Sequence, residues 1–309
     1  MANASSLGRD YDAQLRRAEN LSTNHPASKE ILAFYSKIVS FQKSLLTQIV
    51  TSSPCERGTR EFAPLRHSLD LTLLLPHFRP FLALIKDHAP QLLAVAAREL
   101  STLPSDDWMD LLTSYWHSGA LPTSEMRPDP ASAAPNPVPP ASSPASGHRE
   151  AHAANFSFLG PLAQFFPRAF LQPYAALLAS QSQVPPTTST PNTCRLCGAL
   201  PVLGILRPEG DGAKRSLLCG FCSTEWNYRR LLCPHCNESD ETKLPVFIAD
   251  QFPHIRTEAC ETCRTYLRTI DLTKDGHAIP PVDDLAALPL ALWALEHHYS
   301  RLNPNLLST

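Results

Sequence analysis

"LLCGFCSTEWNYRRLLCPHCNE", residues 217–238, sets two Cys-x-x-Cys pairs ten residues apart. Either these four thiols build one site together, or each pair closes a different site with cysteines elsewhere. Two further pairs lie nearby, and the full set is Cys194/Cys197, Cys219/Cys222, Cys233/Cys236 and Cys260/Cys263. Cys194 to Cys233 and Cys197 to Cys236 are both offset by 39 residues; Cys219 to Cys260 and Cys222 to Cys263 are both offset by 41. Thr224 and Thr265 keep the second offset. This is an internal duplication with a two-residue insertion between its knuckles. Within one copy, 21 residues separate Cys197 from Cys219; within the other, 23 separate Cys236 from Cys260. At such spacings two knuckles at the ends of a small sheet converge on one ion. The ten-residue gap is therefore the connection between two units, each closing its own site.

The residues between the knuckles read as strands. In the first unit they are Val202–Leu206, then a turn at PEGDG, Ser216–Leu218, and Thr224–Leu232, where Trp226, Tyr228 and Leu232 alternate onto one face. The second unit repeats the plan with Leu244–Ala249, a turn over Asp250–His254, Ile255–Ala259 and Thr265–Leu272. Ribbons of about 40 residues usually need a metal to fold. Four thiolates make a soft tetrahedral cage that accepts zinc or iron. The expected ligands are Cys194, Cys197, Cys219 and Cys222 for one ion, and Cys233, Cys236, Cys260 and Cys263 for a second. Gly198 and Asn237 follow the first knuckle of each unit, where a left-handed backbone lets N–H groups point at sulfur. His235 reads as a solvent-facing knuckle residue. His254 and His277 fall in turns without identifiable partners, and His297 and His298 on the surface of a final helix.

The rest of the chain is organised by apolar periodicity and proline. The sequence has 309 residues, 30 of them Pro and only 11 Gly, so its irregular stretches are stiff. Ile31, Phe34, Tyr35, Ile38, Phe41, Leu45 and Ile49 recur at helical spacing behind Ser28 as a cap. Ser105, Asp106 and Asp107 open another helix, with Trp108, Leu111, Leu112, Tyr115 and Trp116 on one face and an end near Gly119. Leu69–Leu100 is helix-prone, with breaks expected at Pro76, Pro80 and Pro90. Residues 127–147 hold seven prolines and nothing aliphatic larger than Val138, too little to order themselves. FLGPLAQFFPRAFLQPYAALLASQ reads as broken helices docking back on the N-terminal bundle. Leu285, Leu288, Leu292, Leu295, Tyr299 and Leu302 outline a C-terminal helix starting at Pro289.

The fold expected is α+β: an α-helical N-terminal domain, two tandem four-cysteine β modules of the zinc-ribbon kind and a C-terminal helix. The expected boundaries are a helical domain over 1–126, a Pro/Ala-rich disordered insertion over 127–155 and helices completing the domain over 156–182. A linker over 183–193 follows, then ribbons over 194–232 and 233–280, and a C-terminal helix and tail over 281–309.

Charge and motifs narrow the function. Lys and Arg number 27 against 29 Asp and Glu, and residues 191–276 carry eleven of each. A nucleic-acid module needs a basic excess to neutralise phosphate, so a protein partner is expected and a nucleic-acid-binding ribbon is the weaker reading. The sequence has no nucleophile elbow, phosphate loop or HExxH motif. With each cage filled by four cysteines, a binding or electron-transfer protein is expected rather than an enzyme. No apolar run reaches bilayer length, so no membrane insertion is expected. The first residues do not read as an export signal and eight of nine cysteines cluster, so metal binding in a reducing cytoplasm is expected. Cys55, in TSSPCERGTR, reads as an incidental thiol.

CRLCGALPV (194–202), LLCGFCSTEWNYRRLLCPHC (217–236), RTEACETCRTYLRTIDL (256–272) and PVDDLAALPLALWALEHHYSRLNPNL (281–306) together resemble the FdhE-type formate dehydrogenase accessory proteins. DDWMDLLTSYW and AFLQPYAALLA extend the likeness weakly upstream. The resemblance implies an α-helical domain followed by two rubredoxin-like metal modules, with the eight cysteines as ligands and iron standing beside zinc. It further implies a cytoplasmic maturation protein that binds the formate dehydrogenase catalytic subunit before export. A rubredoxin-like iron electron carrier is the alternative.

Overall fold

The computed structural model describes residues 4–52, 65–118, 156–182 and 191–307. Cys55, the segment 127–147, Gly119 and most of the 183–193 stretch lie outside the described residues. The architecture is α+β, with a helical N-terminal region, a sheet region carrying both cysteine clusters, and a helical C-terminal segment. Among the described residues no helix is long and apolar enough to cross a membrane.

The helical region comprises α1 (Ala4–Asn24), α2 (Lys29–Ser52), α3 (Leu71–Leu74), α4 (Phe78–His88), α5 (Gln91–Thr102), α6 (Ser105–Ser118) and α7 (Phe165–Gln181). α2 buries Phe34, Tyr35, Ile38, Leu45 and Ile49 as its periodicity predicts, with Ile31 and Phe41 packed at the margin. Ser28 is not its cap. That hydroxyl donates instead to the Ala286 carbonyl at 2.7 Å, fastening α2 to the C-terminal segment. α6 buries Trp108, Leu111, Leu112, Tyr115 and Trp116, the stripe read from its sequence. Pro76 and Pro90 stand at helix starts, but Pro80 lies inside the first turn of α4 and breaks nothing. A proline there lacks only an N–H that would have no intrahelical acceptor.

α7 is the hub of this region, buried on nearly every side. Pro173 sits inside it without ending it. Proline at that position cannot bond to the Ala169 carbonyl one turn back, and the buried Gln42 side chain of α2 supplies the missing donor at 2.7 Å. Phe170 of α7 meets Phe78 and Phe81 at centroid distances of 4.9 and 5.6 Å, making the aromatic centre of the core.

The second half of the chain forms β1 (Pro201–Glu209), β2 (Gly212–Cys219), β3 (Glu225–Asn227), β4 (Val246–Ile248), β5 (Ile255–Ala259), β6 (Thr265–Asp271) and β7 (Ser300–Arg301). Each cysteine unit is a three-stranded antiparallel meander, as the duplication predicts. The two meanders do not stand apart: β1 pairs in parallel with β6, giving one seven-stranded sheet in the order β3-β2-β1-β6-β5-β4, with β7 on β6. Gly204, paired with Thr269, makes the junction possible, because a Cβ there would collide with the Thr269 hydroxyl. The third strand of the first unit stops at Asn227, short of the expected Leu232; Tyr228 is buried while Arg229, Arg230 and Leu231 turn outward.

The C-terminal segment also departs from expectation. Helix α8 (Pro280–Ala286) precedes Pro289, Ala287 leaves helical geometry, and α9 (Leu288–Glu296) follows. Tyr299 and Leu302 lie beyond the helices, buried on the returning chain around β7. Leu292 and Leu295 are 63% and 69% exposed. Apolar spacing alone could not separate one continuous helix from a helix, a reversal and an edge strand.

Candidate metal centres

The four knuckles share one backbone plan. The first cysteine's N–H bonds to the carbonyl five residues on, as in Cys194 to Ala199, Cys219 to Thr224, Cys233 to Glu238 and Cys260 to Thr265, all at 2.8–2.9 Å. The residue four places after that cysteine is left-handed in every knuckle: Gly198, Ser223, Asn237 and Arg264, with φ of 76, 58, 63 and 55°. Such a turn aims amide N–H groups at sulfur. Cys219 Sγ accepts from the amides of Phe221 and Cys222, and Cys233 Sγ from that of His235, each at 3.4 Å. Thr224 and Thr265, which mark the repeat in the sequence, place their hydroxyls 3.0 and 2.9 Å from Cys222 Sγ and Cys263 Sγ.

The sulfurs gather in two groups of four, Cys194, Cys197, Cys219 and Cys222, and Cys233, Cys236, Cys260 and Cys263, with all members of a group within 4.8 Å of one another. Cys194 lies 3.5 Å from Cys222 and Cys197 3.3 Å from Cys219 in the first group, and Cys233 3.7 Å from Cys263 and Cys236 3.6 Å from Cys260 in the second. An ion at about 2.3 Å from each sulfur requires tetrahedral edges of about 3.8 Å, and a disulfide about 2.05 Å. The groups therefore have nearly the dimensions of ion cages and not those of disulfides. Thiols so close cannot all ionise by themselves. Hydrogen bonds from Cys197, Cys219 and Cys222 hold the Cys194 thiol far below its usual range, while burial drives Cys219 upward. In the second group the bond with Cys233 holds Cys263 down to about 3, and burial pushes Cys236 up to about 11. A divalent ion would allow all four to be thiolates, and the donor set suits zinc and iron alike.

The two groups differ in surroundings. All four sulfur residues of the first are buried within the helical core. Phe221, inside its second knuckle, packs edge-on against Tyr115 and Trp116 at 5.4 and 5.6 Å. Leu65 bonds through its amide to the Leu196 carbonyl at 2.9 Å, and through its carbonyl to the Trp116 indole at 3.0 Å. Arg168 of α7, itself buried, donates to the Gly220 and Pro304 carbonyls. The Arg66 guanidinium lies over Gly198, where a Cβ would stand 2.7 Å from its Nη2. Four thiolates and a divalent ion keep a net negative charge, which these cations complement. In the second group Cys236 is exposed and Cys263 half-buried, and Glu238 braces the knuckles by accepting from Thr262 at 2.6 Å and from the Ser239 and Asp240 amides.

His235 is exposed, as expected. His254 is not partnerless: its Nε2 lies 2.9 Å from Asp283 Oδ1, in a cluster that includes Asp275. Arg17 of α1 fills the space between the two carboxylates, at 2.6 Å from Asp283 and 2.7 Å from Asp275, so this cluster is an ion-pair network joining α1 to the second unit. The sequence reading missed Ser223 and Arg264 as left-handed positions. Their register, four residues past the first cysteine, was already marked by Gly198 and Asn237. Nothing local marked Arg66, Arg168 or Gln42, whose roles arise from tertiary packing.

Comparison with known proteins agrees with this geometry. Residues 193–230 match the model of the FdhE central domain, and residues 231–308 that of the FdhE C-terminal domain. The chain is 24% identical over 309 residues to a protein FdhE homolog of Aquifex aeolicus, covering 97% of this chain and 95% of the relative. It is 37% identical over 125 residues to a protein FdhE homolog of Pseudomonas aeruginosa, an alignment spanning 39% of this chain and 40% of that one. The crystal structure of the FdhE protein from Pseudomonas aeruginosa superposes with a TM-score of 0.61 at 23% identity, covering 97% of this chain and 96% of the other, a likeness of fold. Two FdhE domain models thus meet end to end across both cysteine units, residues 193–308, and the chain resembles FdhE homologs in sequence over this part.

Proposed function

We propose that this chain is a non-enzymatic accessory protein of formate dehydrogenase, acting in the cytoplasm on the catalytic subunit before that subunit is exported. Its eight clustered cysteines hold two metal ions in this reading, Cys194, Cys197, Cys219 and Cys222 one, and Cys233, Cys236, Cys260 and Cys263 the other. The observation that carries the reading is the pair of four-sulfur groups, each supplying a full tetrahedral set, within the stretches that match the FdhE domains. A cage completed by protein sulfur has no position for a substrate, so the role that follows is recognition rather than turnover. Anaerobic pull-down with the formate dehydrogenase catalytic subunit tests it. Retention of the subunit is expected, and failure to retain it rejects the partner.

The exposure of Cys236 favours a second reading, an iron electron carrier, because an electron-transfer centre must come near the surface. Chain purified without oxygen would then show a ferric-thiolate visible spectrum that bleaches and recovers through one-electron reduction. A colourless, zinc-loaded chain that still retains the subunit decides for the first reading.

A further inference from the structure

β4 closes one end of the sheet, so among the described residues no strand pairs with its outer edge. The carbonyls of Lys243 and Pro245 accept from Glu261 and Ala259 on the β5 side. Backbone groups in an antiparallel pair alternate in direction, so the N–H and C=O of Val246 and Ile248 point away from β5. These two residues are 48% and 46% exposed. Natural edges are usually blunted by Lys, Pro or a bulge, and Val246–Phe247–Ile248 carries none of these.

Two grooves flank this edge. On one face is a cavity of about 110 Å³ bounded by Arg215, Arg230, Leu231, Val246, Arg256 and Glu258, with Cys233 and Cys260 of the second centre in its wall. Arg215 pairs with Glu258 at 2.6 Å and Arg256 with Asp271 at 3.2 Å. Among the described residues Arg230 has no carboxylate partner, and the buried Nε atoms of Arg215 and Arg256 have no acceptor. The unpaired charge of Arg230, beside a pocket that Arg215 and Arg256 also line, favours an anionic acceptor. On the other face Phe247, Leu290 and Trp293 line an apolar groove.

We infer that the outer edge of β4 docks an extended segment of a partner polypeptide as an added strand, acidic side chains reaching the arginine-lined cavity and alternate apolar ones lying on the Phe247–Trp293 groove. Main-chain pairing supplies affinity in such an arrangement, and the alternate pockets supply specificity. The segment would lie beside the pocket that Cys233 and Cys260 help to line. The inference takes its partner class, a polypeptide, from the accessory function; its geometry stands apart from that reading.

The test uses the full metal-loaded chain and an acetylated, amidated nonapeptide, Gly-Leu-Asp-Val-Glu-Val-Asp-Leu-Gly, beside a counterpart with lysine at each acidic position. The acidic peptide is expected to bind at least about tenfold more tightly and to slow exchange of the Val246 and Ile248 amides by a similar factor. Ile248→Pro removes one outward donor while leaving the β5 pairing, and Arg230→Glu reverses an exposed charge. Each is expected to weaken binding about tenfold, and the second keeps the test decisive if the first unfolds. Equal affinity for both peptides, no binding of the acidic one, or binding without protection of β4 overturns the docking site. Full retention of the catalytic subunit by a folded Ile248→Pro chain also overturns it while leaving the accessory function intact. Failure of the unaltered chain to retain the subunit rejects that function alone, since the peptide measurements do not depend on it.

Discussion

Left-handed backbone recurs four residues after the first cysteine of every knuckle, and the side chain there decides what the turn costs. Glycine adopts the conformation freely, whereas a residue with a Cβ is disfavoured by about 1–2 kcal/mol. Ser223 is exposed, with φ of 58°. Ser223→Gly is therefore expected to stabilise the fold by about 1 kcal/mol, and Gly198→Ala, which also meets Arg66, to destabilise it by about 1–2 kcal/mol in chemical denaturation. Arg264 tolerates the same geometry because its guanidinium lies 4.0 Å over the Tyr299 ring and donates to the His297 carbonyl at 2.6 Å. Asp284 of α8 is wholly buried, with Arg301 at 2.7 Å and Arg268 Nε at 2.6 Å, the latter in ion-pair rather than hydrogen-bond alignment. Burial opposes its charge, but Arg268, Arg301 and Asn305 outweigh burial and hold the carboxyl below its usual range. A depressed carboxylate contributes fully above its unfolded value near about 4, and that contribution is lost as pH falls through the lower folded value. Asp284→Asn is expected to cost about 3–5 kcal/mol at neutral pH and to flatten the loss of stability below about pH 4 in acid titration followed by circular dichroism. The eight cysteines and two of the four turn residues were legible in the sequence because their spacing is local. Asp284 was not, since it looked like any acidic residue beside a helix start and its cations come from β6 and the tail.

Elements with a strong apolar period were recovered well, and those whose shape depends on a distant partner were not. α6 presents the five-residue stripe its sequence announces, and β5 spans Ile255–Ala259 as read. The joining of β1 to β6 left no trace that pattern reading could use, because a strand's period says which face is buried and not which neighbour lies beside it. Gly204 was the overlooked clue: a glycine inside a strand marks a close approach, here of Thr269. α7 teaches the same lesson from the opposite side: the stretch is broken as read at Gly160, in the 3-10 turns Ser157–Gln164 before α7, but Pro167 and Pro173 within α7 break nothing. Pro173 is tolerated because Gln42 donates to the buried Ala169 carbonyl that the proline leaves without a helical partner, a compensation 127 residues away in sequence. Gln42→Leu keeps the volume and removes the donor, leaving a buried acceptor unmet. It is expected to lower unfolding free energy by about 1–3 kcal/mol, with amide exchange rising first in α7.

The duplicated units have been placed in unlike environments, and with the two proposed ions bound this asymmetry would order how the whole molecule responds to metal loss. The first centre lies inside the helical core, sealed by Phe221, Tyr115 and Trp116 and held by Arg168 and the Leu65–Leu196 bond. Reaching it requires parting the helices from the sheet, which exposes much of the core. The second centre opens to solvent at Cys236, and its unit carries only small apolar clusters, around Phe252 and Tyr266. Metal binding free energy is folding free energy wherever the site cannot persist without the ion, so the two centres should differ both in rate of loss and in consequence. An excess of chelator at neutral pH is expected to remove one equivalent of metal rapidly, with loss of amide protection confined to β4–β6 and the Cys233–Cys263 knuckles. The other equivalent should leave only at the rate of global unfolding. Cys236→Ser should lower metal content by one equivalent while the helical core keeps its melting transition. Cys219→Ser should abolish that transition or move it down by several degrees, since it opens a buried centre that the helices are built around. Metal content by elemental analysis and melting by differential scanning calorimetry read both outcomes, and simultaneous loss of the two ions at one rate would show the centres to be equivalent.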